Sequence, residues 1–341
     1  MTCALFAMVL FCIIVASLPY FHSQNAAAPN GSLELHFIDV GQGDAVLILC
    51  DGHAMLIDGG TPKNSNRIYT YLQKHHVDHL DYIIATHPHD DHVGGLAGAL
   101  NAATAEQAFC CVTQAEGRAF ESFLKYLNRQ GIVLAVPSPG DQFRLGSASF
   151  TFLGPLRESA NMNDNSLIVR LTYGDYHALF VGDAEVGEEA DLIASGAVLK
   201  SNLLKVGHHG SANATSEAFA AAVQPELSVI SCGKNNEYGH PAEQTMARLR
   251  SVDSEILRTD QLGDIVVTVY PDGMCSYNAI PDEVNDELQN FSYIVNTNSG
   301  KFHDPSCPSA RDIRSENRLE TDASRDELLA QGYEPCGRCK P

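Results

Sequence analysis

The sequence predicts an α/β domain followed by a small C-terminal metal-binding module. Three observations carry this reading. Short apolar runs of strand length recur along the chain and repeatedly end in Asp or His just before a turn. Segments with helical spacing lie between them. Finally, Cys307, Cys336 and Cys339 join His303 in a stretch with little apolar content.

Residues 33–40 alternate apolar and polar side chains, as a half-buried strand does. Gly41-Gln42-Gly43-Asp44 is a turn, and residues 45–49 and 54–57 are two further strands, the second ending at Asp58-Gly59-Gly60. Residues 66–74 read as a helix. Residues 82–85 form a buried strand that feeds Thr86-His87-Pro88-His89-Asp90-Asp91-His92, and the small apolar residues 93–100 suit a packed helix. The second half varies the theme. Residues 149–153, 166–173 and 177–181 are strand-like, Gly182-Asp183 ends the last of them, and 185–195 is helical. Residues 203–206 form a strand ending at Gly207-His208-His209-Gly210. Residues 227–232 form another, followed by Gly239-His240-Pro241 and a helix over 242–250. This is how an α/β scaffold gathers reactive groups along one edge. The main domain is expected over 33–275, an acidic linker over 276–290 and the module over 291–341.

The 341 residues carry 42 acidic and 22 basic side chains, a net charge of −20. That argues against nonspecific duplex binding, which depends on basic surface. It leaves room for an enzyme whose bound metal ions supply the local positive charge. Residues 4–18 are apolar and uncharged, and no Lys or Arg precedes Lys63. The expectation for 1–28 is a signal peptide or membrane anchor, placing the chain outside the cell. The ten cysteines do not read as a disulfide framework. Cys50, Cys110, Cys111, Cys232 and Cys275 lie in or beside apolar runs and are expected in the core.

His87, His89, Asp91 and His92 fall within six residues. Imidazole and carboxylate are what borderline divalent metals such as zinc bind, and a tight strand-to-helix turn lets them converge. Asp183 can bridge two cations; its alternative role is a helix N-cap. One of His208 and His209 is expected to complete a metal site. His208 is preferred as the nearer to the strand end, leaving the other to contact substrate or orient a ligand. Asp58 is expected to orient a ligand, with an Asp-Gly turn as the alternative.

The His-x-His-x-Asp-His run resembles the central signature of the metallo-β-lactamase superfamily. Residues 36–45, 56–60, 203–211 and 238–241 are similar to motifs of the soluble domain of ComEC competence proteins, a resemblance covering about 33–269. It implies an αββα sandwich of two mixed sheets. It also implies phosphodiester hydrolysis of nucleic acid, single-stranded DNA foremost, by two divalent cations (Zn or Mn) that activate a bridging hydroxide. His87 and His89 would hold one cation and Asp91, His92 and His208 the other, with Asp183 between them. His240 would bind a phosphate oxygen or protonate a leaving group, so Asp91, Asp183 and His240 are the catalytic candidates. Asp39 and Asp44 would support the site or simply form the turn, and Lys205 and Asn165 lie beside it. Many members carry one more metal-binding histidine before the bridging aspartate. Here only His177 lies in that interval, and the matching position falls in 161–166, where an Asn or Asp favours a harder metal such as manganese. The transmembrane channel region of the competence proteins has no counterpart in this sequence, so a free-standing hydrolase is expected. A hydrolase of small esters, lactones or phosphoesters, or a noncatalytic DNA-binding component, are the alternatives.

His303, Cys307, Cys336 and Cys339 make a closed tetrahedral set for one structural zinc. With so few apolar residues, metal would supply much of the folding energy. A redox Cys-x-x-Cys or a Cys336–Cys339 disulfide is the alternative. The module resembles the Ada-type metal-binding fold found appended to nucleases. Arg311, Arg314, Arg318 and Arg325 either touch phosphates or, given their acidic neighbours, form a solvated helix face.

Overall fold

Side chains alternate between the two faces of a strand, and here both phases are largely apolar. Each central strand is therefore buried on both faces. In the computed structural model the described residues are 31–280 and 292–341, apart from 306, 312, 315, 316, 322 and 340. The expected leader or anchor, and linker residues 281–290, lie outside them. Among the described residues no helix is long and apolar enough to cross a membrane.

One sheet begins with β1 (Leu33–Phe37), β2 (Val46–Cys50), β3 (His53–Ile57), β4 (His79–Ala85), β5 (Thr104–Cys110) and β6 (Leu134–Ala135). The chain then builds a second sheet from β7 (Gln142–Leu145), β8 (Ala148–Gly154), β9 (Ile168–Tyr173), β10 (Tyr176–Phe180), β11 (Leu203–Lys205), β12 (Leu227–Ile230) and β13 (Glu255–Arg258). It returns to the first with β14 (Asp264–Val269) and β15 (Cys275–Ile280). The orders are β15-β14-β1-β2-β3-β4-β5-β6 and β13-β12-β11-β10-β9-β8-β7. In each sheet an antiparallel half passes into a parallel half, at β3–β4 in the first and β10–β11 in the second.

Leu33, Leu35 and Phe37 of β1 and Met55 and Ile57 of β3 meet Phe150 and Phe152 of β8, Val169 and Leu171 of β9, and Phe180 of β10 in one core between the sheets. The opposite phase, Leu47, Leu56 and Ile83, lies under α1 (Ser65–Lys74), α3 (Leu96–Ala102) and α4 (Arg118–Arg129), with the short α2 (Asp90–Val93) leading into α3. Leu179, Val181 and Leu204 lie under α5 (Val186–Ser195), α6 (Glu217–Val223) and α7 (Glu243–Arg250). The result is the αββα sandwich. Each Leu or Phe buried in these layers contributes roughly 2 kcal/mol, so the layers need no metal to hold them.

Several local expectations change. The helix expected over 93–100 breaks at Gly94-Gly95 into α2 and α3. β5 escapes the sequence pattern because its first half carries Thr104, Glu106 and Gln107, all polar and exposed. Residues 276–280, expected in the linker, complete β15, because pairing with β14 satisfies their backbone. Cys275 is exposed rather than in the core, whereas Cys50, Cys110 and Cys232 are buried; every described cysteine is a free thiol.

The module has its own sheet of β16 (Tyr293–Asn296), β17 (Lys301–His303), β18 (Arg318–Thr321) and β19 (Glu334–Pro335), in the order β18-β16-β17-β19. Its apolar clusters are small: one gathers Ile294, Ala310 and Ile313 with Cys307 and Cys336, the other Val295, Phe302 and Leu328. Arg318 lies in a strand and donates to the Ala310 carbonyl and to Glu320, so it is not part of a helix face. The side chain of Arg311 lies outside the described set.

Glu188 of α5 is 1 % exposed. It accepts the Leu156 N–H at 2.8 Å. Burial, with Asp191 and Asp164 nearby, raises its pKa from 4.5 to about 7. The folded state holds this proton more tightly than the unfolded chain. The associated stability is therefore complete below pH 4.5 and is lost as pH rises through 7. Glu188→Gln should remove that loss, leaving the variant about 3 kcal/mol more stable than the parent at pH 8 and equal to it near pH 4. Urea unfolding at both pH values checks this; an equal difference at both would refute it.

Candidate active site

Four strand ends supply the site. β3 runs into Asp58, β4 into Thr86-His87, β10 into Gly182-Asp183, and β11 into His208-His209. Asp58 (φ 57°), His208 (φ 47°) and His209 (φ 53°) all adopt left-handed backbone. That conformation costs a non-glycine residue about 1 kcal/mol or more and concentrates at functional sites. Gly182 is required where it stands. Its φ is 52°, and a Cβ there would lie 2.9 Å from the Cβ atoms of both Ser166 and Thr86. Gly43 is equally constrained. An added Cβ would lie 2.5 Å from the Asp91 carbonyl oxygen, which accepts the Asp44 N–H at 3.1 Å.

Asp183 is the centre. Its Oδ2 lies 3.2 Å from His92 Nε2, 3.6 Å from His209 Nε2, 3.7 Å from His208 Nε2 and 3.9 Å from His87 Nε2. Asp91 Oδ2 is 3.4 Å from His209 Nε2, and His87 Nε2 is 2.9 Å from His89 Nδ1. Asp91, His92, Asp183 and His209 each offer a donor atom within 4.8 Å of the others. Despite this crowding, His92 Nε2, His209 Nε2 and Asp183 Oδ1 are buried without a hydrogen-bond partner. Buried polar atoms are ordinarily paired. Nitrogen and carboxylate donors left open toward one point are the donor set of a zinc-like cation, so these residues fit a metal.

The charges are mutually enforced. Burial opposes protonation of His92, yet Asp183 and Asp58 hold its pKa well above the usual value. Burial likewise opposes charge on His209, but Asp183 and Asp44 raise it to about 10. Burial resists ionisation of Asp183 too, and His92 and His209 overcome it. His87, by contrast, is driven low by burial and by His92.

Each inward-facing ring is locked from behind. His92 Nδ1 bonds Asp58 Oδ2 at 2.8 Å, and Asp58 accepts both the N–H and the hydroxyl of Thr86, each at 2.8 Å. His209 Nδ1 lies 3.1 Å from Asp44 Oδ1 and 3.1 Å from the Ser231 carbonyl. Asp44 Oδ2 pairs with Lys205 Nζ at 2.7 Å. His87 Nδ1 lies 3.2 Å from Thr86 Oγ1 and 3.3 Å from Ser166 Oγ, and the latter accepts the Asp183 N–H. Such outer partners set the tautomer and aim the free nitrogen. Thr86 and Ser166 were not singled out from sequence; adjacency to a strand end was the only available signal. Asp44→Asn should lower metal affinity about 10–100-fold, read by chelator competition. Unchanged affinity would refute the orienting role.

The structure departs from the sequence reading at His208 and at Asn165. His209, not the preferred His208, enters the buried cluster. Two successive left-handed residues swing His209 inward onto Asp44 and Ser231. His208 stays 23 % exposed, with Nδ1 3.1 Å from Glu185 Oε1. Asn165 ties both ends of its amide to the Ser159 backbone, at 2.7 and 2.8 Å, and pins the loop. Asn161 and Asn163 of that loop donate to Glu185 instead, a residue the sequence pattern did not mark. Asp39 accepts the Gly41 N–H at 2.9 Å, which is its turn role. His177 sits in β10, 3.2 Å from Thr172 across the hairpin.

His240 stands at the rim, its ring 5.6 Å from that of His208. Gln42 Oε1 accepts the Gly233 N–H, so the Gln42 amide nitrogen faces His240 Nδ1 at 3.5 Å and places the ring proton on Nε2. Burial and the neighbouring His208 and His209 lower its pKa to about 4. At neutral pH this ring offers a neutral N–H.

In the module, His303, Cys307, Cys336 and Cys339 bring their donor atoms within 4.8 Å of one another, and His303 Nδ1 is buried and unpartnered. Burial resists ionisation of Cys336, but the backbone N–H groups of Cys339 and Arg338 pull its pKa below the usual value. This set fits a structural zinc.

A buried carboxylate ringed by imidazoles at the shared edge of an αββα sandwich defines a metal-dependent hydrolase. The chain belongs to the metallo-beta-lactamase superfamily, whose model it matches over residues 38–234. Within that superfamily it is ComEC-like. It is 28 % identical over 251 residues to ComE operon protein 3 of Bacillus subtilis (strain 168), covering 68 % of this chain and 32 % of that protein. It is 30 % identical over 249 residues to competence protein ComA of Neisseria gonorrhoeae, covering 70 % of this chain and 32 % of that protein. The chain thus spans about a third of the length of these relatives. Among solved structures, the metallo-beta-lactamase fold protein YhfI from Bacillus subtilis matches with a TM-score of 0.47 and 12 % identity, over 72 % of this chain and 100 % of that one.

Proposed function

We propose that the protein is a nuclease that hydrolyses phosphodiester bonds of single-stranded nucleic acid, DNA foremost, at the Asp183 cluster. The observation that supports this most directly is the single carboxylate oxygen of Asp183 facing four histidine nitrogens at 3.2–3.9 Å. Divalent cations bound there, zinc or manganese, would supply Lewis acidity and a water that ionises near neutral pH. Asp91, His92, Asp183 and His209 would hold one cation, and His87 and His89 with Asp183 the other. Asp58 keeps the His92 ring aimed inward, and the Asp44–Lys205 pair does the same for His209. His240 donates its Nε2 N–H to a phosphate oxygen of the substrate, orienting it at the rim. Zinc in the C-terminal set would fold the Ada-like module. The apolar segment 4–18 supports a secreted or membrane-tethered protein facing outward. The competence function named for the relatives supports DNA as the polymer.

The net charge of −20 favours a second reading, hydrolysis of a small ester, lactone or phosphoester. Incubating the protein and manganese with labelled single-stranded DNA, and separately with bis(p-nitrophenyl) phosphate and a lactone, separates the two. DNA cleavage is expected. Turnover confined to the small substrates would overturn the nuclease reading.

A further inference from the structure

We propose that Tyr238 is a stacking platform that seats a nucleobase of the substrate strand beside the rim of the active site. The identity of the ligand as a nucleic acid rests on the nuclease reading; the platform itself is a separate claim. The Tyr238 ring is 65 % exposed. One face stacks on His240, with centroids 5.7 Å apart and planes at 27°. His240 meets His208 edge-on at 5.6 Å, and His208 Nε2 lies 3.7 Å from Asp183 Oδ2. An unbroken ladder of three rings therefore runs from the buried carboxylate to solvent, and its outermost face is open.

A lone exposed aromatic is ordinary and needs no explanation. This one is held in place. Asn236 donates to the carbonyls of Gly233 and His240 at 2.9 and 2.6 Å and accepts the His240 N–H at 2.9 Å, closing the loop that carries Tyr238. A loop ordered before the ligand arrives needs little further ordering when a base stacks on the ring it carries. The charge balance points the same way. With 42 acidic and 22 basic residues, the protein's own field does not attract a polyanion. Stacking on an aromatic face requires no charge and accepts any base, and it contributes enough per base to matter.

The test uses the full, metal-loaded chain with a cleavage-resistant phosphorothioate oligothymidylate and an abasic oligomer of the same length and linkage. Binding is read by fluorescence anisotropy for the parent, Tyr238→Ala and Tyr238→Phe. The parent and Tyr238→Phe should bind the base-bearing strand about five- to a hundredfold more tightly than the abasic one. Tyr238→Ala should bind the two alike. Equal binding of both strands by the parent, or a preference that survives in Tyr238→Ala, would overturn the platform. Cleavage of ordinary oligothymidylate is followed in parallel. Cleavage without a base preference sinks the platform and keeps the nuclease. A base preference that Tyr238→Ala abolishes, without cleavage, keeps the platform and sinks the nuclease.

Discussion

Replacing Asp183 by alanine should lower kcat by more than about a thousandfold. A partner that merely orients a metal ligand typically costs 10–100-fold when removed. Asp183 stands one step closer, because its Oδ2 is the atom toward which His87, His92, His208 and His209 converge. Without it, two cations held by the flanking rings would lack a shared anion, and their repulsion would be uncompensated. The electrostatics supply a control. His92 and His209 hold the Asp183 carboxyl far below 3.8. The stability that this carboxylate contributes to the metal-free protein is thus present above pH 3.8 and lost on acidification. Asp183→Asn keeps the volume and removes the charge. It should match Asp183→Ala in lost turnover and lost metal, while circular dichroism at pH 7 reports an intact fold. Parental kcat in either variant, or an undiminished metal count by mass spectrometry, would contradict the assignment.

Stripping metal from the C-terminal module should unfold residues 292–341 and leave the sandwich intact. The module's apolar clusters centre on Ile294 with Ile313 and on Val295 with Phe302 and Leu328. Side chains of that number contribute a few multiples of 2 kcal/mol, less than the conformational entropy of ordering about fifty residues. A structural zinc contributes roughly 10–16 kcal/mol at neutral pH. The sandwich, by contrast, has three large apolar clusters and no need of such help. Cys336→Ser, or a strong chelator, should therefore expose module amides to rapid hydrogen exchange while amides of β1, β9 and β10 stay protected. Module protection that survives both treatments would show that the core is self-sufficient.

The grouping of Asp183 with the histidine run, and of the module's cysteines with His303, is legible in the sequence. Asp183 follows a buried strand and a glycine, and the Cys-x-x-Cys pair stands with one more cysteine and a histidine in a nearly core-less tail. The run from His87 to His92 was equally plain, because a tight turn between a strand ending at 85 and a helix expected from 93 lets its side chains converge. Other parts were invisible. Glu185 looked like the start of a helix and turned out to accept from Asn161 and Asn163, with its Oε1 3.1 Å from His208 Nδ1. Asn165 had the right chemistry for a metal ligand, yet it pins its own loop to Ser159. The return of β14 and β15 beside β1 also left no trace in local pattern, because edge pairing over more than two hundred residues has no periodic signature.

Local pattern was enough to name the residue types that meet and the strand ends that carry them. Alternation along a strand, and the turn that stops it, are properties of a few neighbouring residues. Packing between distant segments settled which imidazole points inward. His209 turns toward an aspartate 165 positions away in the chain. Such a contact exists only once two sheets have closed face to face.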